Sequence, residues 1–305
     1  MVLIKQLLEY LKENQVEYTY QGSGELALEH YCPLSVPRNS CITWIRNAGN
    51  YSLSGLTRYD NLLVVCNPVD ITEAPEVNYL FTEDPHSVFF SLLEQFFILR
   101  DEEASLVEES SVVETEQIGK NVRIGHHCYI GKEVILGDHM IIKNRVSIEG
   151  KVRIGDHTII YSGAVIGMDG YAYYDNVKGH HLRVPHPGGI IIGNHVEIGA
   201  NTCIARGCLG DTVISDEVKI DNLCHIAHNV FIGKRSKIIA SSMLAGSSVI
   251  GEDVWVAPCT AVKNQVVVGN HSLLGMGAVV TKNVEPGVVA AGVPARVLRE
   301  NRGLP

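Results

Sequence analysis

The sequence has no C-x-x-C pair, no apolar run of membrane-spanning length and no excess of positive charge. Each absence removes a class of protein. Eight cysteines are present (Cys32, Cys41, Cys66, Cys128, Cys203, Cys208, Cys224 and Cys259), but their spacing argues against a zinc ribbon. A chain of 305 residues is not a small disulfide scaffold either, so the expectation is buried, reduced thiols in a cytoplasmic protein. No segment approaches the ~18 apolar residues of a membrane helix. The start, MVLIKQLLEYLKEN, sets Ile4, Leu7, Leu8 and Leu11 on one helical face with charges between them, unlike the unbroken apolar stretch of a secretory signal. With 25 Lys and Arg against 34 Asp and Glu, the net charge of −9 argues against nucleic acid as a partner. It leaves room for a local basic pocket that takes a phosphate. At 46% hydrophobic and 19% charged, the chain is a folded one, with one large or two medium domains.

What is present is a period of six. Ile118, Ile124, Ile130, Leu136, Ile142, Ile148, Ile154, Ile160 and Ile166 are evenly spaced, and Ile192, Ile198 and Ile204 resume the pattern after a gap. A second run goes from Ile214 through Ile220, Ile226, Ile232, Ile238, Leu244, Ile250, Val256, Val262, Val268 and Leu274 to Val280. Neither an α-helix nor an amphipathic strand has this period. It predicts a solenoid in which each six makes one short strand and one corner. The aliphatic points inward, the small residue after it lets the backbone turn, and three sixes close a triangular coil. Coils then stack at roughly 4.8 Å with parallel hydrogen bonding.

The period predicts four regions. Residues 1–100 lack it and read as a small α/β domain, with helical starts and apolar runs such as NLLVVCNP. The acidic stretch 101–117 reads as a linker. Residues 118–285 form the solenoid, interrupted by an ejected loop at 168–189 that is rich in Gly, Tyr and His, a composition more typical of a site than of a strand. Residues 286–305 are a short tail. A second slip of phase, at ARGCLGDTV between Ile204 and Ile214, reads as a local kink.

A solenoid implies no function by itself, so local residues must decide. The stretch DNLCHIAHNVFIG holds His225 and His228. His228 follows inward Ile226 by two residues, which places it at or near an outward-facing corner. A free imidazole titrates near 6.5 and serves as a neutral base at pH 7. On position alone, a structural histidine at the same corner remains open.

The wider stretch KIDNLCHIAHNVFIG, with VEIGANTCIARGCLGDTVI before it and GMGAVV after it, resembles the hexapeptide-repeat acyltransferases. Within them it is similar to the UDP-3-O-acylglucosamine N-acyltransferases of lipid A synthesis and to relatives that N-acylate nucleotide-linked amino sugars. The resemblance implies a mainly β fold, a left-handed parallel β-helix with a small N-terminal α/β domain, assembled as a homotrimer. It makes His228 the general base, supported by Asp221 and Asn222. CITWIRNAGNY matches a nucleotide-binding pattern through Trp44, Asn47 and Tyr51, with the Asn–Tyr gap one residue longer than in the family. IGMDGYAYYD and VPHPGGIIIG offer Asp169, Tyr171 and His186 to the sugar or its phosphates, and His225, where relatives carry Gln, tunes the pocket.

The departures are informative. The family's second histidine is Gln265 here, which donates a hydrogen bond but carries no charge. Its I-D-R-G is IARG, with Ala205 for the Asp. The lipid A enzymes continue into a helical extension that engages acyl carrier protein, whereas AGVPARVLRE resembles the ending of acetyl-CoA-dependent acetyltransferases. The expectation is therefore coenzyme A thioester as co-substrate, with Gly246, Gly275, Lys282 and Arg296 around it and no metal. Three rivals stay open. One is the lipid A enzyme itself, using acyl carrier protein. Another is a metal-dependent hydratase like the γ-class carbonic anhydrases, although His181 and His186, which have the right five-residue gap, lie in the ejected loop. The last is a non-enzymatic binder.

Overall fold

The computed structural model describes residues 1–98 and 106–303. The chain divides into two compact units, Met1–Glu102 and Glu103–Pro305. In the first, five strands lie in the order Thr19–Gln21, Asn78–Phe81, Leu63–Cys66, Cys41–Ile45, His30–Tyr31. The first pair is antiparallel and the rest are parallel. Side chains alternate across this sheet, as the two-residue period of a strand requires. Ile42, Leu63, Val65 and Leu80 meet the helices Ile4–Glu13 and Pro85–Phe96, while Cys41, Ile45, Val64, Cys66 and Tyr79 form a second core on the other face. The second helix starts where a helix should: Pro85 occupies the first turn, and Asp84 Oδ1 accepts from Ser87 N–H at 3.1 Å.

The second unit is a parallel β-helix of short strands on three faces. The first face runs from Leu106–Val107 to Arg296–Glu300, the second from Val112–Val113 to Val279–Val280, the third from Val134–Leu136 to Val267–Val268. Register is locked residue on residue: His225 pairs with Met243 and Ile226 with Leu244. The six-spaced aliphatics stack in three inward columns and are buried. Burying each contributes roughly 1.5–3 kcal/mol. Identical corner positions repeat so faithfully that the rings of His139, His157 and His195 stack at 4.8 Å with interplanar angles of 1° or less.

The corner chemistry differs from the expectation. The residue that turns the backbone is not the small one after the aliphatic. It stands three positions before the next aliphatic, is mostly not glycine, and holds a left-handed φ of 52–62° from Asn121 to His271. The glycine after the aliphatic has another task, the close approach of neighbouring coils. A Cβ on Gly199 would stand 2.3 Å from the Asp221 carbonyl carbon.

The boundaries differ too. Part of the expected linker 101–117 lies outside the described residues, but Leu106–Val107 and Val112–Val113 already pair with the next coil as β-helix strands. The spacing from Val113 to Ile118 is five, not six, and this slip hides the first coil. The expected tail is likewise part of the fold: Val288–Ala291 continues the first face and Arg296–Glu300 returns antiparallel along it. The ejected loop leaves Val165–Met168 and returns at Ile190–Ile192, carrying a hairpin of Tyr173–Asp175 and His181–Arg183. No helix among the described residues is long and apolar enough to cross a membrane.

Candidate active site

Three successive corners between the second and third faces are irregular or carry the expected base, and they lie on consecutive coils. The ejected loop departs from the first. The second holds residues 206–211, where the step from Ile204 to Ile214 is ten instead of six. The third holds His228 and Asn229. Strand pairing fixes the order, because Val165–Met168 lies beside Cys203–Ala205, which lies beside His225–Ile226. The two insertions into the sequence period therefore converge on His228.

The insert at 206–211 fixes Asn229 completely. The Asn229 N–H donates to Thr212 Oγ1 at 2.9 Å, its Nδ2 donates to the Gly210 carbonyl at 2.9 Å, and its Oδ1 accepts from Cys208 N–H at 3.0 Å. With the amide so oriented, its oxygen faces His228 Nδ1 at 3.2 Å. A carbonyl oxygen only accepts, so Nδ1 carries the proton and Nε2 is left with a lone pair. That is the tautomer a general base needs. Nε2 faces Gly246 on the next coil, where a Cβ would stand 2.7 Å from it. Only glycine leaves space in front of the imidazole. The Gly246 N–H donates to no acceptor among the described residues, and its carbonyl accepts from Gln265 N–H at 3.1 Å.

The loop closes over the other side of the ring. Gly170 packs against His228, and the His186 ring lies 5.5 Å from the His228 ring in a T-shaped pair. Asp169, beside Gly170, accepts from Arg206 Nε at 2.7 Å, so the loop is tied by an ion pair to the insert beneath. At the returning end, Gly188 N–H donates to the Cys208 carbonyl at 3.0 Å and Gly189 N–H to Asp211 Oδ1 at 2.8 Å. Tyr171 is exposed and its ring meets Tyr173 at 5.1 Å.

Other expected residues lie elsewhere. Asp221 and Asn222 occupy the corner at the opposite end of strand His225–Ile226, and their oxygens are taken. Asp221 accepts from the backbone N–H of Asn222 at 2.7 Å and of Ala240 at 3.1 Å, and Asn222 Oδ1 accepts from Ala200 N–H at 2.6 Å. They clamp three coils together and border an open groove of about 520 Å³ with Tyr161, Glu197, Lys219 and Lys237. These are structural bonds, and no hydrogen bond joins either residue to His228 among the described residues. Gln265 is an exposed turn residue two coils above Asn229; the residue above His228 itself is Asn264. Ala205 is buried, and its carbonyl accepts from Thr212 Oγ1 at 2.8 Å. His225 is open on its outer side, while enclosure of the ring by its neighbours lowers its pKa.

The residues expected around coenzyme A do not form one surface. Gly246 and Lys282 share the corner column of His228. Gly275 belongs to the opposite corner, beside Ala291, the residue that pairs with Arg296. In the N-terminal unit, Trp44 is packed on the helix side of the sheet: its ring lies 6.1 Å from Phe89, stacked, and 5.2 Å from His86. The ring is half-buried there, on the strand itself and not on the loop that carries the other two residues of the expected trio. Asn47 and Tyr51 are exposed on the loop that follows the strand. Among the described residues, no group of three or more His, Cys, Asp or Glu side chains is placed to hold a metal ion. The residues that sequence reasoning missed are Asn229, Arg206, Gly170 and the Cys208–Gly210 backbone. The phase slip at ARGCLGDTV was the signal for two of these four, Arg206 and the Cys208–Gly210 backbone.

Comparison with known proteins decides the relationship. The chain is 45% identical over 142 residues to UDP-3-O-acylglucosamine N-acyltransferase 2 of Legionella pneumophila (strain Lens), covering 47% of this chain and 41% of that one. It is 42% identical over 150 residues to the probable mitochondrial UDP-3-O-acylglucosamine N-acyltransferase 2 of Arabidopsis thaliana, covering 49% of each. The chain is similar to UDP-3-O-acylglucosamine N-acyltransferases. It spans about half the length of these N-acyltransferases or somewhat less. No family model matches. The UDP-N-acetylglucosamine acyltransferases of Bacteroides fragilis and Francisella novicida share the fold, with TM-scores of 0.58 and 0.56 at 23% and 24% identity. They cover 64% and 67% of this chain and 75% and 71% of their own. The fold is thus the left-handed β-helix. The acyl-CoA donor is corrected at this point. The matched relatives are by name the N-acyltransferases for which the resemblance implies an acyl carrier protein thioester, not the acetyl-CoA-dependent kind that AGVPARVLRE suggests.

Proposed function

We propose that this chain catalyses N-acyl transfer from an acyl carrier protein thioester to the amine of a UDP-linked 3-O-acylated glucosamine. The observation that carries the reading is the His228 corner, where an imidazole is held in the Nδ1–H tautomer by a clamped amide and its free Nε2 faces a residue without a side chain. The amine lone pair attacks the thioester carbonyl carbon, and His228 Nε2 takes the amine proton as the C–N bond forms. The oxyanion accepts from the Gly246 N–H. Collapse breaks the C–S bond, and the thiolate leaves with the proton that His228 held. The names of the N-acyltransferase relatives support the substrate class.

The corner is open outward, so a second wall is needed to exclude water. A homotrimer, the assembly that the resemblance implies, supplies it from a neighbouring copy. Lys282, in the corner column of His228, is a proposed contact for the phosphates of the nucleotide. The test is direct. Purified protein with UDP-3-O-acylglucosamine forms the N-acylated product by mass spectrometry when acyl carrier protein thioester is the donor. Equal or better turnover with acyl-CoA defeats the donor assignment.

A further inference from the structure

Among the described residues, three buried side-chain polar atoms lack a hydrogen-bond partner: Thr43 Oγ1, Ser248 Oγ and His186 Nε2. Buried polar atoms are almost always paired, so each exception asks for a reason. Of these, His186 stands against the ring of the expected base. It is 5% exposed, and its Nδ1 lies 2.7 Å from the Val184 carbonyl. That carbonyl only accepts, so Nδ1 bears the proton and Nε2 carries a bare lone pair. The negative end of the imidazole dipole is therefore fixed, enclosed and unpaired.

It is also aimed. A Cβ on Gly170 would lie 2.6 Å from His186 Nε2 and 2.8 Å from Cδ2 of His228. The bare nitrogen and the edge of the base thus both border the space that a side chain at Gly170 would fill, with the rings at 70°. In a setting of low effective dielectric, such a dipole favours positive charge on its neighbour. Other titratable groups on the elements around the base are the Asp169–Arg206 pair, which is mutually neutralised, Asp211, which accepts from Gly189 N–H at 2.8 Å, the Cys208 thiol, which donates to the Pro185 carbonyl at 3.6 Å, and His225 on the strand that leads to the base.

We infer that His186 is a positioning residue for the base: its unpaired Nε2 stabilises the imidazolium that His228 becomes when it takes the amine proton. The inference rests on His228 being that base. His186 does not touch substrate in this account, and its effect passes through His228 alone.

The experiment compares His186→Phe, which keeps a ring and removes the lone pair, with His186→Gln, whose side-chain carbonyl can restore one. In the full chain, His186→Phe lowers kcat about tenfold and leaves KM for the sugar nearly unchanged. It moves the acid limb of kcat/KM to lower pH by about half a pH unit. His186→Gln recovers both. Histidine-labelled protein, titrated by NMR without substrate, shows the His228 resonance shifting in the same direction. If His186→Phe does not fold, Gly170→Ala, which pushes the two rings apart, replaces it and moves the limb the same way. An unmoved limb and an unmoved resonance overturn the inference, as does a raised KM with unchanged kcat, which would make His186 a substrate contact. His228→Ala in the same assay separates the two failures. If it is inactive while His186→Phe leaves the profile in place, only the role of His186 falls; if it is active, the base assignment falls.

Discussion

The two ends of strand His225–Ile226 make a useful contrast. At one end Asp221 and Asn222 show every polar feature of a site, yet their oxygens accept backbone N–H groups from their own corner and from the coils above and below. At the other end, the Asn229 side chain is equally saturated, but its saturation leaves His228 Nε2 free and fixes which nitrogen that is. Both corners belong to one sequence motif. What separates them is where the hydrogen-bonding capacity has gone. Polar residues whose oxygens are engaged by the backbone hold the coils together, and the one with a lone pair left over can do chemistry.

The contrast can be broken most severely at Gly246. Gly246→Ala puts a Cβ where the His228 imidazole now points, and kcat is expected to fall on the order of 10²-fold while circular dichroism stays native. Unchanged kcat in that variant would mean that the open side of the imidazole is not where the reaction occurs. Ile226, the buried residue between the two corners, tests the shared scaffold. Ile226→Ala is expected to cost about 2–5 kcal/mol in urea unfolding, with loss of both corners together.

The opposite corner should respond in the opposite sense. Asp221→Ala strands backbone N–H groups, so it is expected to lower stability by about 1–3 kcal/mol and to leave kcat of the folded protein within about twofold. A large loss of kcat at unchanged stability would return Asp221 to the catalytic set. The smallest effect belongs to His225, whose folded-state pKa lies below its unfolded value because the ring is enclosed. The unfolded chain then binds the extra proton, so the stability is full above about pH 6.5 and declines as pH falls through the folded pKa. His225→Gln flattens that decline, measurable as a smaller change in melting temperature between neutral and mildly acidic pH. An unaltered slope would assign the decline to another group.

Much of this was legible in the sequence, for a physical reason. The inward columns were readable residue by residue, because a solenoid repeats one burial requirement every six positions, and Ile226 or Leu244 can satisfy it only one way. The first coil was not, because the five-residue step from Val113 to Ile118 broke the period. The turn residues were misread for a related reason: the left-handed conformation falls on residues as different as Leu223, Arg235 and Gln265, which composition does not mark. His228 was found by its motif. Asn229, which sets its tautomer, was not, because its partners are backbone groups of Cys208 and Gly210 whose positions depend on an insert that breaks the period. Trp44 shows the converse. Its motif position suggested a nucleotide, and its packing on Phe89 and His86 was invisible until the helix was placed.

The most direct measurement is steady-state turnover of His228→Ala against the unaltered chain, with UDP-3-O-acylglucosamine and an acyl carrier protein thioester, at matched folded fraction. The expected result is a kcat lower by about 10²–10⁴-fold with sugar-nucleotide binding preserved. Turnover near that of the unaltered chain would contradict the assignment of this corner as the active site.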